Sequence, residues 1–358
     1  QALLNRQGDA NVSPLAVYRH AAKADSVQQR RPNVVLIMME SMSSKLMKHF
    51  GQSETLTPFL DSLYTRSISF RNFYSAGIHT NHGLYATLYS FPAMMKRNLM
   101  KGSVIPRYSG LPTVLKENGY YNLFFMTHEG QYDNMNAFFR TNGYDEVFSQ
   151  EDYPADKVVN SFGVQDDFLY DYAIPVLNQR AATGQPFFAT LLSTSNHPPY
   201  VIPPFFHPKT SEPEMQIVEY ADWALRQFFE EARKQPWFDN TIFVLEGDHG
   251  KLVGDAECEL PESYNHIPLM IYSSRIHPEE KNTFGGQVDI QPTILGLLNI
   301  DYLQNNFGVD LLKEERPCMF YTADNMIVGR NDTLLYLYNY ETQQEFTYHI
   351  AVSYTHLR

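Results

Sequence analysis

Short apolar runs alternate with polar loops and helix-like stretches along most of this chain. Residues 34–39 (VVLIMM) form a continuous apolar run of strand length, the pattern of a strand buried on both faces. Residues 121–126 (YNLFFM), 186–192 (PFFATLL), 240–245 (NTIFVL) and 267–272 (IPLMIY) read the same way. Helix signals lie between them. Thr57 followed by Pro58 marks a start, with Thr at the N-cap and Pro at the first helical position. Residues 111–118 read as a helix stopped by Gly119. Residues 214–234 form a long amphipathic helix with Ile217, Tyr220, Ala221, Leu225 and Phe228 along one face.

Strands alternating with helices predict an α/β fold, a mostly parallel central sheet sandwiched by helices. Residues 334–340 and 345–350 add a small C-terminal appendage of antiparallel strands. Residues 1–30 are polar, mixed in charge and without a sustained apolar period, and read as a linker from a missing N-terminal part. The last eight residues, 351–358, resemble translated sequencing-adapter read-through and are kept out of the fold reading.

Composition narrows the function classes. An apolar share of 43% with 14% aromatic residues is that of a globular domain and excludes disorder over most of the length. A formal charge of −12 argues against nucleic-acid binding, which needs clustered Lys and Arg. It leaves an anionic substrate open, because a bound divalent cation can invert the local field. Cys258 and Cys318 are too few for a disulfide framework. No run approaches the roughly 20 apolar residues of a membrane-spanning helix. The chain starts at Gln1 without a signal-peptide pattern, which reads as a fragment of a longer protein.

The residues just past each strand carry the chemistry, because open α/β sheets build their sites beyond the carboxyl ends of their strands. The runs lead into Glu40-Ser41, Thr127-His128-Glu129-Gly130, Ser195-Asn196-His197-Pro198 and Glu246-Gly247-Asp248-His249-Gly250. Alone, Glu40 reads as a solvated loop residue and Asp248-His249 as a tight turn. Gly247 and Gly250 would let the backbone bend so that adjacent side chains converge on one ion. Carboxylate plus imidazole suits Zn²⁺ or Mn²⁺ better than Ca²⁺. In residues 72–84, Gly77 loosens the loop and residues 84–89 read as the start of a helix, which sets Thr80 at or near a helix N-terminus. Free amides and the dipole favour an anion there. A threonine hydroxyl becomes a nucleophile when a metal stabilises its alkoxide; without one, Thr80 is an ordinary N-cap.

Six blocks occur in order: residues 31–41 (RPNVVLIMMES), 57–63 (TPFLDSL), 70–74 (FRNFY), 240–250 (NTIFVLEGDHG), 266–272 (HIPLMIY) and 287–298 (QVDIQPTILGLL). Together they resemble the sulfatase-type domain of the alkaline phosphatase superfamily, and most closely its lipoteichoic acid synthase branch. The resemblance implies a catalytic domain over 31–315 and a C-terminal strand subdomain over 316–350. It implies Glu40, Asp248, His249 and Thr80 as ligands of one divalent ion, Mn²⁺ first, with Zn²⁺ or Mg²⁺ as alternatives. Thr80 would be the nucleophile and His197 the group beside the substrate phosphate. His128, Asn134 and His266 are candidate substrate contacts, although His128 and His266 also read as structural histidines. His79 and His82 flank Thr80, with either able to turn outward.

The implied activity is transfer of a phosphoglycerol-like head group from a phospholipid, through a phosphothreonine, to an envelope glycan or lipid acceptor. The location would be the extracytoplasmic face of a bacterial membrane, with an anchor in a segment absent here. A phosphodiesterase or sulfatase-like hydrolase, a phosphoethanolamine transferase and a non-catalytic glycan- or lipid-binding domain are the alternatives. Two departures matter. The C/S-x-P-x-R signature that yields formylglycine is missing, Ser90-Phe91-Pro92-Ala93-Met94 lacking its arginine. The Trp-Asn-Arg group of the synthases is replaced by Asp133-Asn134-Met135, which puts glycerol phosphate itself in question.

Overall fold

The computed structural model describes residues 17–19, 31–102 and 104–350. The octapeptide 351–358 and the proposed linker, apart from residues 17–19, lie outside the described residues. In chain order the strands begin with β1 (Val17–Arg19), β2 (Asn33–Met39), β3 (Ile68–Tyr74), β4 (Tyr121–Met126) and β5 (Glu146–Phe148). They continue with β6 (Phe187–Leu192), β7 (Thr241–Gly247), β8 (Leu269–Tyr272), β9 (Glu279–Gly286) and β10 (Tyr302–Gln304). Four more complete the set: β11 (Met319–Ala323), β12 (Met326–Arg330), β13 (Leu334–Asn339) and β14 (Gln344–His349). The α-helices are α1 (Pro58–Tyr64), α2 (Thr80–Tyr89), α3 (Leu111–Glu117) and α4 (Met135–Thr141), then α5 (Asp166–Ala182), α6 (Pro213–Ala232) and α7 (Ile290–Leu297).

The central sheet has eight strands in the order β5-β4-β6-β2-β7-β8-β3-β9. Strand β8 is antiparallel to both of its neighbours, and the remaining seven share one direction. The apolar runs occupy its centre because side chains on both faces are covered. Along β2, Val35 and Ile37 pack with Leu60, Tyr170 and Ile217 of α1, α5 and α6. Val34, Leu36 and Met38 pack on the other face with Leu84, Leu115, Phe139 and Ile294 of α2, α3, α4 and α7. This is the predicted parallel sheet sandwiched by helices.

Several details differ from the sequence reading. The C-terminal sheet has four antiparallel strands, β11 to β14, rather than a pair. Residues 17–19 pair antiparallel with β10, so part of the expected linker is strand. On α6 the buried stripe includes Ala224, while Ala221 is half-buried. Thr57 does not cap α1; its hydroxyl donates to Asp61 Oδ2 at 3.0 Å. The free amides of α1 are met from across the core, where Phe59 N and Leu60 N each donate to the Asp222 carboxylate at 2.9 Å.

Three glycines close the carboxyl edge of the sheet, by letting backbones touch rather than by turning. A Cβ on Gly83 of α2 would sit 2.3 Å from the Asp248 carbonyl oxygen. One on Gly247 would lie 2.5 Å from Met42 O, and one on Gly250 2.0 Å from Ser263 O. Gly83→Ala is therefore expected to push α2 off the loop after β7. A thermal or denaturant melt should show a loss of about 1–3 kcal/mol, the usual cost of overpacking.

Candidate active site

The parallel strands deliver their chemistry to one edge. Glu40 follows β2, His128 follows β4, His197 follows β6, and Asp248-His249 follow β7. Thr80 is the first residue of α2, with His79 at its N-cap, so the helix begins earlier than its apolar stretch suggested. Glu40, Thr80, His128, His197 and His249 border one cavity of about 290 Å³. Asp248 lies behind them, fully buried.

Glu40, Asp248 and His249 place one ligand atom each within 4.8 Å of one another. His249 Nε2 is 3.6 Å from Asp248 Oδ2 and 3.8 Å from Glu40 Oε1. Donors that share an ion at about 2.0–2.2 Å stand apart by about this much. His249 Nδ1 donates to Gly250 O at 2.7 Å, which leaves Nε2 to face the carboxylates. Asp248 Oδ1 accepts from the amides of Ser41 (2.8 Å) and His249 (2.7 Å). Its buried Oδ2 has no hydrogen-bond partner among the described residues. Burial, and then repulsion from Asp248, hold the Glu40 carboxyl well above the usual carboxylate range. An unpartnered buried oxygen and two crowded carboxylates are what a divalent cation would satisfy, so the donor set fits one.

Residues to which the sequence reading gave no individual role hold this group in place. Ser41 sits in the left-handed region (φ 50°) and its hydroxyl donates to Glu40 Oε1 at 2.6 Å. Asn196 Nδ2 donates to the carbonyls of Glu40 and Ser41 at 3.1 and 3.2 Å. Lys251 Nζ donates to Asn196 Oδ1 at 2.9 Å. Gln287 joins the threonine loop to the loop after β7. Its Oε1 accepts from Ala76 N at 2.9 Å, while its Nε2 donates to Asp248 O at 2.8 Å and Gly247 O at 3.1 Å. Gln287 opens the last of the six sequence blocks, and only its burial reveals its task.

The other candidates divide. His197 Nδ1 bonds Pro198 O at 2.6 Å, and its ring packs on Phe162 with centroids 3.9 Å apart. His128 is buried beside Tyr132, and burial lowers its proton affinity. Asn134 turns away from the cavity to donate to Met100 O at 3.0 Å. Asp133 takes the place on the cavity wall and pairs with Lys101 at 2.7 Å. Both Asp133 and Asn134 have positive φ, and that tight turn decides which of the two faces in. His266 also lies off the cavity. Its Nε2 meets Arg71 O at 2.8 Å and its ring stacks on Tyr74, the structural alternative already open for it. His79 borders the cavity, whereas His82 turns inward, in the space that Gly77 leaves by lacking a Cβ. Burial, helped by His79, pushes the His82 pKa down to about 4.

Comparison with known proteins agrees with this fold. The sulfatase family model matches residues 32–300. Lipoteichoic acid synthase 2 of Bacillus subtilis is 25% identical over 315 residues, covering 79% of this chain and 47% of that protein. The lipoteichoic acid synthase of Staphylococcus saprophyticus is 24% identical over 348 residues, covering 87% and 51%. The chain thus spans about half the length of these curated relatives. A solved protein of the alkaline phosphatase superfamily from Vibrio parahaemolyticus superposes with a TM-score of 0.83 at 27% identity, over 96% of this chain and 87% of that one. The lipoteichoic acid synthase LtaP of Listeria monocytogenes shares the fold, with a TM-score of 0.75 at 22% identity over 88% and 86% of the two chains.

The donor set generates a test that needs no substrate. Saturating MnCl₂ is expected to raise the Tm of the chelator-treated protein, by about 2.7 kcal/mol of stability at 100 times Kd. Asp248→Asn should abolish most of that rise. An equal rise in the variant would place the ion elsewhere.

Proposed function

The chain belongs to the sulfatase family, and from that premise we propose that it is a metal-dependent phosphotransferase of the lipoteichoic acid synthase type. It would move a phosphoglycerol-like head group from a phospholipid to an envelope glycan or lipid alcohol. The observation that carries this reading is the meeting of Thr80, at the start of α2, with Glu40 and His249 on one cavity, in front of the unpartnered oxygen of Asp248. Among the described residues no helix is long and apolar enough to cross a membrane. Resemblance to the synthases supports an extracytoplasmic site of action, with anchoring outside this segment.

Glu40, Asp248, His249 and Thr80 would hold the ion; the mixed carboxylate and imidazole donors suit Mn²⁺ or Zn²⁺, and resemblance to the synthases puts Mn²⁺ first. When bound, such an ion lowers the pKa of a coordinated hydroxyl and offsets charge on phosphoryl oxygens. The chain's own groups do the rest. Thr80 and Asn81 line the cavity at the helix N-terminus, where free amides and the dipole stabilise the phosphate. Thr80 Oγ1, its proton given up to solvent, forms a bond to phosphorus as the bond from phosphorus to the diacylglycerol oxygen breaks. His197 uses Nδ1 to bond Pro198 O, so Nε2 is the atom available to protonate the departing oxygen. In the second step the acceptor hydroxyl gives its proton to the same nitrogen and attacks phosphorus, releasing Thr80.

One observation favours a second head group. Asp133 and Tyr132 on the cavity wall offer an anion and an aromatic face, which suit the ammonium of phosphoethanolamine. The test is intact-mass spectrometry of the Mn²⁺-loaded protein after incubation with phosphatidylglycerol or phosphatidylethanolamine, beside Thr80→Ala. A phosphoglycerol or phosphoethanolamine adduct that the variant lacks is expected. Metal binding without an adduct from either lipid would turn the reading toward a hydrolase.

A further inference from the structure

The turn between β11 and β12 reaches the rim of the cavity. Its first residue, Asp324, has φ 42°, a conformation that Asp tolerates in tight turns. Asp324 Oδ1 lies 2.7 Å from Nε2 of His79, the residue before Thr80 and itself part of the cavity wall. The strand behind this turn is fastened to the same loop. Thr322 donates to Ala76 O from both its amide (3.0 Å) and its hydroxyl (3.1 Å). Asn265 Nδ2 donates to Thr322 O at 3.3 Å, and Tyr321 stacks on Tyr74 with centroids 5.1 Å apart. The C-terminal sheet therefore places a carboxylate on the side chain next to the threonine.

A carboxylate oxygen can only accept from the ring, so Nε2 carries the proton and Nδ1 is the atom left to meet a ligand. The His79 and Asp324 side chains are 47% and 37% exposed, so the contact adds little stability. Its consequence is orientation: a ring free to rotate is held in one pose beside Thr80. We propose that Asp324 is a positioning residue that fixes His79 at the cavity rim, where Nδ1 accepts a hydrogen bond from a hydroxyl or ammonium of the bound head group. The proposal rests on Thr80 being the nucleophile. It makes the C-terminal sheet part of the transfer machinery rather than a structural addition.

The experiment compares wild type, Asp324→Gly, His79→Ala and the double variant, all as the full chain. Asp324→Gly removes the carboxylate and tolerates the positive φ. Rates of adduct formation with phosphatidylglycerol or phosphatidylethanolamine, whichever wild type uses, are the first readout. Each single variant is expected to lose roughly 10- to 100-fold. The double variant should lose no more than His79→Ala alone, because the carboxylate acts through that ring. Asp324→Asn, which can still accept from Nε2, should recover part of the rate, and melts should stay unchanged. A wild-type rate in Asp324→Gly, or losses that multiply in the double variant, would overturn the proposal.

The ring can be read without any turnover. The His79 Nε2 resonance in ¹⁵N-histidine-labelled protein should show a carboxylate-bonded N–H in wild type and lose that signature in Asp324→Gly. An unchanged resonance would equally overturn it. A wild-type adduct that persists in Thr80→Ala would instead sink the parent reading while leaving the ring measurement standing.

Discussion

One buried amide sets the spacing on which the site depends. Gln287 accepts from the amide of Ala76 through Oε1 and donates to the carbonyls of Gly247 and Asp248 through Nε2. It therefore spans the loop that carries the threonine and the loop that carries two of the candidate ligands. Gly83 makes that approach possible, since any side chain there would strike the Asp248 carbonyl. A shorter or apolar residue in place of Gln287 would leave a backbone donor and acceptor buried and unpaired, each at a cost in stability. The relative position of the candidate nucleophile and candidate ligands is thus written into backbone groups, which have little freedom to drift.

That rigidity holds together charges that otherwise repel. Glu40, Glu246 and Asp248 are all buried near one another, and burial raises the proton affinity of both glutamates. Glu246 keeps one oxygen bonded to Thr87 of α2 at 2.6 Å and the other without a partner among the described residues. Ser41 adds local strain by holding a left-handed backbone while serving two carboxylates. Such an arrangement lowers the stability of the fold, and a bound cation would offset it. The core on both faces of the sheet supplies the stability that lets this edge stay unfavourable.

Much of this is legible in the sequence. The buried strands announce themselves because both faces are covered, so β2, β4, β6 and β7 read as unbroken apolar runs. Their carboxyl ends then name Glu40, His128, His197, Asp248 and His249 as neighbours. The rest is hidden for physical reasons. Strand β9 lies at the sheet edge, and its first five residues are polar and exposed or half-buried, so its sequence looks like a loop. Helix α5 carries Pro175 in its interior, which reads as a break. The choice of Asp133 over Asn134 depends on two successive left-handed residues that no periodicity reveals. Gly247 and Gly250 read as hinges in the sequence, whereas both permit contact between backbones. The pairing of His79 with Asp324 joins positions 245 residues apart, a separation that no motif can span.

The charge inventory of the cavity bears on the substrate. Among the described residues its lining includes three histidines besides His249, and neither Lys nor Arg. Burial disfavours the charged form of His128, and Lys101 is already paired with Asp133. A divalent cation held by Glu40 and Asp248 would be close to charge-balanced before any substrate arrives. Such a site suits a singly charged phosphodiester better than a doubly charged monoester, which would need additional fixed cations to offset its desolvation. A sulfate ester carries the same single charge, so charge alone does not separate sulfur from phosphorus. The candidate nucleophile does: this chain offers a threonine hydroxyl at a helix N-terminus where the sulfatase route requires formylglycine. In the proposed reading the fold would present a tetrahedral anion to one sheet edge, and the residue at the start of α2 would determine the chemistry done there.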